Sequence, residues 1–168
     1  GTVLVVRTNG AVIRGLAVAG SGTSHDQIDA GLQVEGDDNT IEDNVIGDVL
    51  FGIHVKQGNR NRIAGNRITG KDLALGMRGD GLRLWNSRHN LIERNDIRRV
   101  RDLTFANSPD NQIRANTLRD GRYGMQFIFS PNVLVERNDL AYTATGIVAL
   151  YSPALTVRGN RIAHALDG

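Results

Sequence analysis

Side chains that can bind an anion or move a proton recur through the middle of the chain. They are Asp80, Arg83, Trp85, Arg101, Asp102, Arg122, Tyr123 and Gln126. An arginine can bind a carboxylate through two parallel N–H groups, and an aspartate or a tyrosine beside it can act as a base or an acid. The Arg–Asp cluster among them, Asp80, Arg83, Arg101, Asp102, Arg122 and Tyr123, therefore predicts a binding site for an acidic sugar. A ladder of ion pairs on the surface is the alternative interpretation of the same residues.

Other kinds of reactive site have few candidates. The chain has no Cys, which excludes disulfides, thiol catalysis and cysteine zinc sites. His25, Asp26 and Asp29 form the best local trio for a metal, but a solvated loop is the favoured interpretation of these residues, and no particular metal is predicted. A serine hydrolase is not supported, because no His and acid stand at a suitable spacing from the recurrent serines. Those serines are Ser87, Ser108, Ser130 and Ser152.

The charge balance and the hydropathy pattern exclude two classes of partner. With 20 basic and 18 acidic residues, the formal net charge is only +2, which creates no long-range field that would attract a nucleic acid. No apolar run approaches the length needed to cross a membrane. We therefore expect neither nucleic-acid binding nor a membrane span in this segment.

One phrase, Ile-x-x-Asn-x-Ile, recurs along the chain and indicates which elements must position these side chains. Its spacing is 22, 29, 21, 22 and 22 residues, and an insertion from about Lys71 to Arg78 explains the longest step. Short alternating strands at this period predict an all-β fold, a right-handed parallel β-helix of about seven coils of ~22 residues. We expect the recurrent asparagines to form an internal ladder at one turn. They are Asn44, Asn66, Asn95, Asn116, Asn138 and Asn160.

A second phrase, Gly-apolar-x-apolar, shares the period and the insertion. It predicts two inward columns: Leu32, Ile53, Leu82, Leu103, Met125 and Ile147, then Val34, Val55, Leu84, Phe105, Phe127 and Ala149. The outward position between them forms one column: Gln33, His54, Arg83, Thr104, Gln126 and Val148. The outward position after the second inward column forms another: Glu35, Lys56, Trp85, Ala106, Ile128 and Leu150. The second outward column becomes apolar in the late coils, which indicates a partner or a covering segment.

Several phrases of the sequence resemble the NosD family, the periplasmic β-helix proteins that help to mature nitrous oxide reductase. The phrases lie at 29–32, 51–55, 78–87, 101–108, 122–130 and 146–152. Trp85 and the Arg-Tyr-Gly phrase that begins at Arg122 are the most specific of them. The family pattern has a His and a Met where this chain has Gln126 and Ile128, and a later Met where it has Leu150.

The resemblance implies a periplasmic or extracellular accessory protein for copper-site assembly, with the reductase and an ABC transporter as its partners. Copper is the one cofactor that it implies. Two alternatives stay open: a carbohydrate-active β-helix (a lyase, epimerase or hydrolase of acidic polysaccharides) and a purely structural solenoid. A binding protein is favoured over an enzyme, because the sequence shows no repeated Asp pair of acid–base or calcium type. We interpret residues 1–168 as one β-helix domain, a segment of a longer solenoid.

Overall fold

In the computed structural model, residues 1–165 are described and form seven stacked coils of a right-handed parallel β-helix. Face 1 contains β1 (Leu4–Arg7), β4 (Ala30–Glu35), β7 (Phe51–Lys56), β10 (Leu82–Trp85) and β13 (Leu103–Ala106). Face 2 contains β2 (Val12–Arg14), β5 (Thr40–Glu42), β8 (Arg62–Ala64), β11 (Leu91–Glu93), β14 (Gln112–Arg114), β16 (Leu134–Glu136) and β18 (Thr156–Arg158). Face 3 contains β3 (Ala17–Ala19), β6 (Val45–Val49), β9 (Arg67–Gly70), β12 (Asp96–Arg98) and β19 (Arg161–Ala163).

Two long strands, β15 (Thr117–Ile128) and β17 (Asp139–Leu150), run from face 3 around a corner into face 1 of the next coil. They join these two faces into one sheet of twelve strands, whereas face 2 is a separate sheet of seven strands. The predicted insertion holds a short 3₁₀ helix, η1 (Leu75–Met77). Within residues 1–165, no helix is long and apolar enough to cross a membrane.

The predicted inward columns form the core, because every strand pairs in parallel with its equivalent in the next coil. Phe105 and Phe127 are fully buried and stack with ring centroids 5.0 Å apart. The last members of the two columns were predicted to be buried and are not, since Ile147 is half-buried and Ala149 is exposed. Both lie in the last coil of the described residues, where no further strand packs over them.

The asparagine ladder is confirmed, and it is continuous from Asn44 to Asn160. The serine column is structural too, since Ser87 receives a hydrogen bond from the Gly58 N–H and donates one to the Trp85 carbonyl. A second ladder, which the sequence analysis missed, stands at the preceding turn. Its members are Asn39, Asn61, Asn90 and Asn111. The two asparagine ladders connect successive coils on either side of face 2.

Candidate functional site

The corner between face 3 and face 1 carries the predicted Arg–Asp cluster. Asp80 is fully buried there and accepts hydrogen bonds from Arg83 Nη1 at 3.1 Å and Arg101 Nη2 at 3.0 Å. Burial raises the pKa of Asp80, while the positive charges of Arg101 and Arg83 oppose that rise. The carboxylate is therefore enclosed and paired from two coils at once.

The next coil repeats the arrangement around Asp102, which is also buried. Its carboxylate accepts hydrogen bonds from the Arg122 guanidinium and from the Tyr123 backbone N–H, the latter at 2.9 Å. Arg101 Nε lies 3.4 Å from the same carboxylate, and the Arg122 guanidinium lies 4.4 Å from the centre of the Tyr123 ring. The hydrogen bond to Asp102 raises the pKa of Arg122.

The cluster is thus brought together as expected, but its geometry favours the ladder of ion pairs over a catalytic centre. Each aspartate is saturated by arginines of its own and neighbouring coils. A general base needs a carboxylate within hydrogen-bond reach of the substrate, and neither Asp80 nor Asp102 presents one. Arg122 and Tyr123, which are half-exposed, stay available at the edge of face 1.

Face 1 itself presents the two predicted outward columns in register. Trp85, Ala106, Ile128 and Leu150 follow one another from β10 to β17. The first three are half-exposed and Leu150 is 45% exposed. Gln126 stands in the other column between Thr104 and Val148. Because adjacent strands are about 4.8 Å apart, the column forms a continuous apolar strip across the four later coils.

Two aromatic residues that the sequence analysis missed extend this strip. Phe129 and Tyr151 follow β15 and β17, are 54% and 76% exposed, and stack with centroids 5.0 Å apart. Their φ angles are 48° and 50°, in the left-handed region. The equivalent positions in earlier coils hold Gln57, Asn86 and Asn107, which have the same backbone conformation. Asn adopts it more readily than larger side chains do, and the change from Asn to an aromatic residue at this position was the signal available in the sequence.

We call the surface formed by Ala106, Ile128, Phe129, Leu150 and Tyr151 the apolar platform. Trp85 lies at its boundary with the earlier, polar coils. On that side, a groove of about 500 Å³ crosses the first four coils. Arg83 and Trp85 line it together with Arg7, Gln33, His54, Lys56 and a loop that precedes β4.

The structure does not bring His25, Asp26 and Asp29 together as a metal site. No group of three or more His, Asp or Glu side chains in residues 1–165 could hold a metal ion. His25 Nε2 lies 3.1 Å from the Met77 carbonyl oxygen, whereas Asp29 is buried and accepts the Ser24 N–H at 2.9 Å. The three side chains were adjacent in sequence, but the loop turns them toward different neighbours.

Copper also lacks suitable ligands on the strand where the family resemblance would put them. Positions 126, 128 and 150 hold an amide and two aliphatic side chains, in register on face 1. Cu(I) prefers thiolate, thioether or imidazole ligands. These residues do not fit a copper site.

His54 makes the stability of the coils sensitive to acid. Burial lowers its pKa to about 4, and the charges of Arg83 and Lys56 act in the same direction. Since the unfolded imidazole titrates at about 6.5, the unfolded chain gains a proton between pH 6.5 and 4 that the folded chain does not. The contribution is present above pH 6.5 and is lost as the pH falls toward 4.

We expect about 3 kcal/mol of this acid sensitivity to come from His54. In urea unfolding at pH 7 and pH 4, His54→Gln should show a pH dependence smaller by roughly that amount. His89, whose side chain is 53% exposed, provides the control: His89→Asn should keep the full dependence. Unchanged acid sensitivity in His54→Gln would show that the imidazole is not held neutral.

The family comparison agrees with this architecture. The family model described as right handed beta helix region matches residues 2–165, nearly the whole chain. Comparison with curated proteins gives no significant match. The period of the coils, the parallel register of all three faces and this match lead to one conclusion: the chain belongs to the right-handed β-helix family.

Proposed function

We propose that this chain is a NosD-like accessory β-helix that acts in the periplasm during copper-site maturation of nitrous oxide reductase. In this proposal it works as a docking protein, and its apolar platform contacts the reductase. The observation that carries the proposal is the stacked, exposed pair of Phe129 and Tyr151 beside the strip of Ile128 and Leu150.

The composition of the platform is that of an interface centre. Aromatic residues and arginine are enriched at protein interfaces, and a few of them contribute most of the binding energy. The platform supplies two exposed aromatic rings, and half-exposed Arg122 lies at the other edge of the same face. Large side chains in the left-handed region cost stability.

Copper is cargo in this proposal, and it is not held by the platform. Because positions 126, 128 and 150 hold no soft metal ligand, the proposed docking surface would not also bind copper. The chain would bring the reductase and its transporter together, and other proteins of the assembly would carry the copper ion.

The proposal predicts that the aromatic pair controls complex formation. The double variant Phe129→Asn with Tyr151→Asn should weaken binding to the metal-free reductase at least tenfold, because each exposed ring is a candidate for 1 kcal/mol or more of binding energy. Asparagine suits the left-handed backbone, so the fold should be retained. Biolayer interferometry with immobilised chain measures the change in Kd.

The chain offers a matched control for this variant. Tyr142 and His164 also stack, with centroids 4.9 Å apart, and also have left-handed backbones. They lie at the corner that follows face 3, away from the platform. Tyr142→Asn with His164→Asn should leave the Kd within about twofold. Equal weakening by the two double variants would contradict the placement of the interface, and the absence of any saturable binding would favour a purely structural solenoid.

A further inference from the structure

The positive charge of the chain is concentrated at one corner of the coils. Where faces 2 and 3 meet, coils three to seven supply residues 62–70, 91–98, 112–119, 134–141 and 156–163. These segments contain nine arginines, no lysine and four acidic residues, which is a local excess of +5. The formal net charge of the whole chain is only +2, so the rest of the chain carries −3. We call this basic surface the arginine ridge.

The carboxylates of the ridge lie beneath its arginines. The Glu93 side chain is only 8% exposed, and Arg62, Arg94 and Arg114 all approach it within 3.4 Å. The Glu136 side chain is enclosed to the same extent, whereas that of Arg94 is 57% exposed. One carboxylate cannot neutralise three arginines, so the surface presents guanidinium groups and a positive field to solvent.

Two arginines of the ridge have no acidic partner in the part of the chain that the structure describes. Arg67 and Arg137 are exposed. Asp96, which is in register with Arg67, and Glu136, which precedes Arg137, pair with other arginines instead. The charges of Arg67 and Arg137 therefore remain available to a partner outside residues 1–165.

The composition and the shape of the ridge indicate the kind of partner. Its five segments contain no aromatic residue, whereas protein interfaces and sites for single-stranded nucleic acid rely on aromatic side chains. Its two hollows, of about 260 and 300 Å³, are small for an organic ligand. Successive coils repeat the basic positions about every 4.8 Å over about 19 Å. An extended anionic surface would meet several arginines at once.

We propose that the arginine ridge binds the surface of an anionic phospholipid bilayer, with its guanidinium groups at the headgroup phosphates. Basic residues are attracted by the negative potential of such a surface, and arginine pairs well with phosphate oxygens. Face 1 lies across the core from the ridge, because each coil has only three faces. A chain bound in this way would turn the apolar platform away from the bilayer and leave it accessible.

Cosedimentation of the full chain with lipid vesicles tests this surface. We expect binding to vesicles of phosphatidylcholine and phosphatidylglycerol mixed at about 2:1, and much weaker binding to pure phosphatidylcholine. Raising NaCl from about 0.05 M to about 0.5 M should release the chain, because salt screens exposed charges. Trp85 is the only tryptophan and lies half-exposed on face 1, so its fluorescence maximum should not shift on binding.

Two variants with the same change of charge assign the binding to the ridge. Arg67→Gln with Arg137→Gln should lower the vesicle partition coefficient about tenfold, since each basic residue near an anionic surface contributes roughly a fivefold gain. Arg60→Gln with Arg88→Gln alters exposed residues at the corner between faces 1 and 2, and should change the coefficient by about twofold at most. Arg67→Lys with Arg137→Lys should bind nearly as well as the unchanged chain, because it keeps both charges.

The platform variant of Phe129 and Tyr151 should bind vesicles normally, which separates this inference from the docking proposal. Three results would overturn the inference: equal binding to neutral and anionic vesicles, equal losses in the two glutamine variants, or a blue shift of Trp85 that puts face 1 on the bilayer. Tighter binding of a DNA duplex than of anionic vesicles at the same salt concentration would also contradict it. Circular dichroism verifies that each variant keeps its β structure.

Discussion

Replacing Asn116 by alanine should lower the free energy of unfolding by about 4 kcal/mol. The buried amide donates to Asn138 Oδ1 and to the Ile92 carbonyl, each at 3.0 Å. Its oxygen accepts from the backbone and side-chain N–H groups of Asn95 at 3.1 Å and 2.9 Å. Alanine would leave the buried Asn95 donors and the Ile92 carbonyl without partners, and each unsatisfied group costs about 1–3 kcal/mol.

Asn160 is the matched control because it ends the same ladder. Its amide still donates to the Val135 carbonyl at 2.8 Å, but the side chain is only partly buried. Groups freed by Asn160→Ala can therefore hydrogen-bond to water, and we expect a loss below about 2 kcal/mol. Equilibrium urea unfolding measures both values. Equal losses would mean that ladder position and burial do not determine the contribution of each asparagine.

Replacing Asp80 by alanine should cost about 3–5 kcal/mol of unfolding free energy. The carboxylate is fully buried between Arg83 and Arg101. Removal of one member of a buried ionic cluster leaves the remaining charges without compensation. Because Arg83 and Arg101 are each about a quarter exposed, relaxation of their side chains toward solvent should keep the loss nearer the lower value.

The control for Asp80 is an exposed pair of the same chemistry. Asp96 pairs with Arg98, whose side chain is 60% exposed, and such surface pairs contribute about 1 kcal/mol or less. Asp96→Ala should therefore be nearly neutral. If Asp80→Ala were equally mild, the aspartate would not be a structural anchor, and the predicted acid-binding and proton-transfer role of the cluster would again be the better interpretation.

The sequence predicted the coils well because the same packing and hydrogen-bonding positions recur in every coil. Each inward column and the main asparagine column could be read from a fixed period, and the structure places Leu82, Phe105 and Asn116 where that period requires. The second asparagine ladder repeats with the same steps, but it ends at Val133. A column that changes residue type partway is harder to recognise.

The candidate site was predicted less completely, because its chemistry depends on which side chains are buried and on features that occur in only one coil. The sequence predicted that Asp80 and Asp102 lie close together. Only the interatomic distances in the structure show that arginines occupy both carboxylates. The loop over the groove occurs once and has no repeat to align it. Phe129 and Tyr151 belong to phrases that resemble the NosD family, but only the structure shows that the two rings are exposed and stacked.

In the proposed function, the apolar platform of face 1 is a protein-docking surface. Hydroxyl-radical footprinting of the chain, alone and with the metal-free reductase, tests it directly, since aromatic side chains report their own exposure. We expect strong protection of Phe129 and Tyr151 in the complex. Tyr142, which is 52% exposed at the other corner, should stay as reactive as in the free chain. Protection of Tyr142 alone, or a complex in which Phe129 and Tyr151 stay fully reactive, would contradict it.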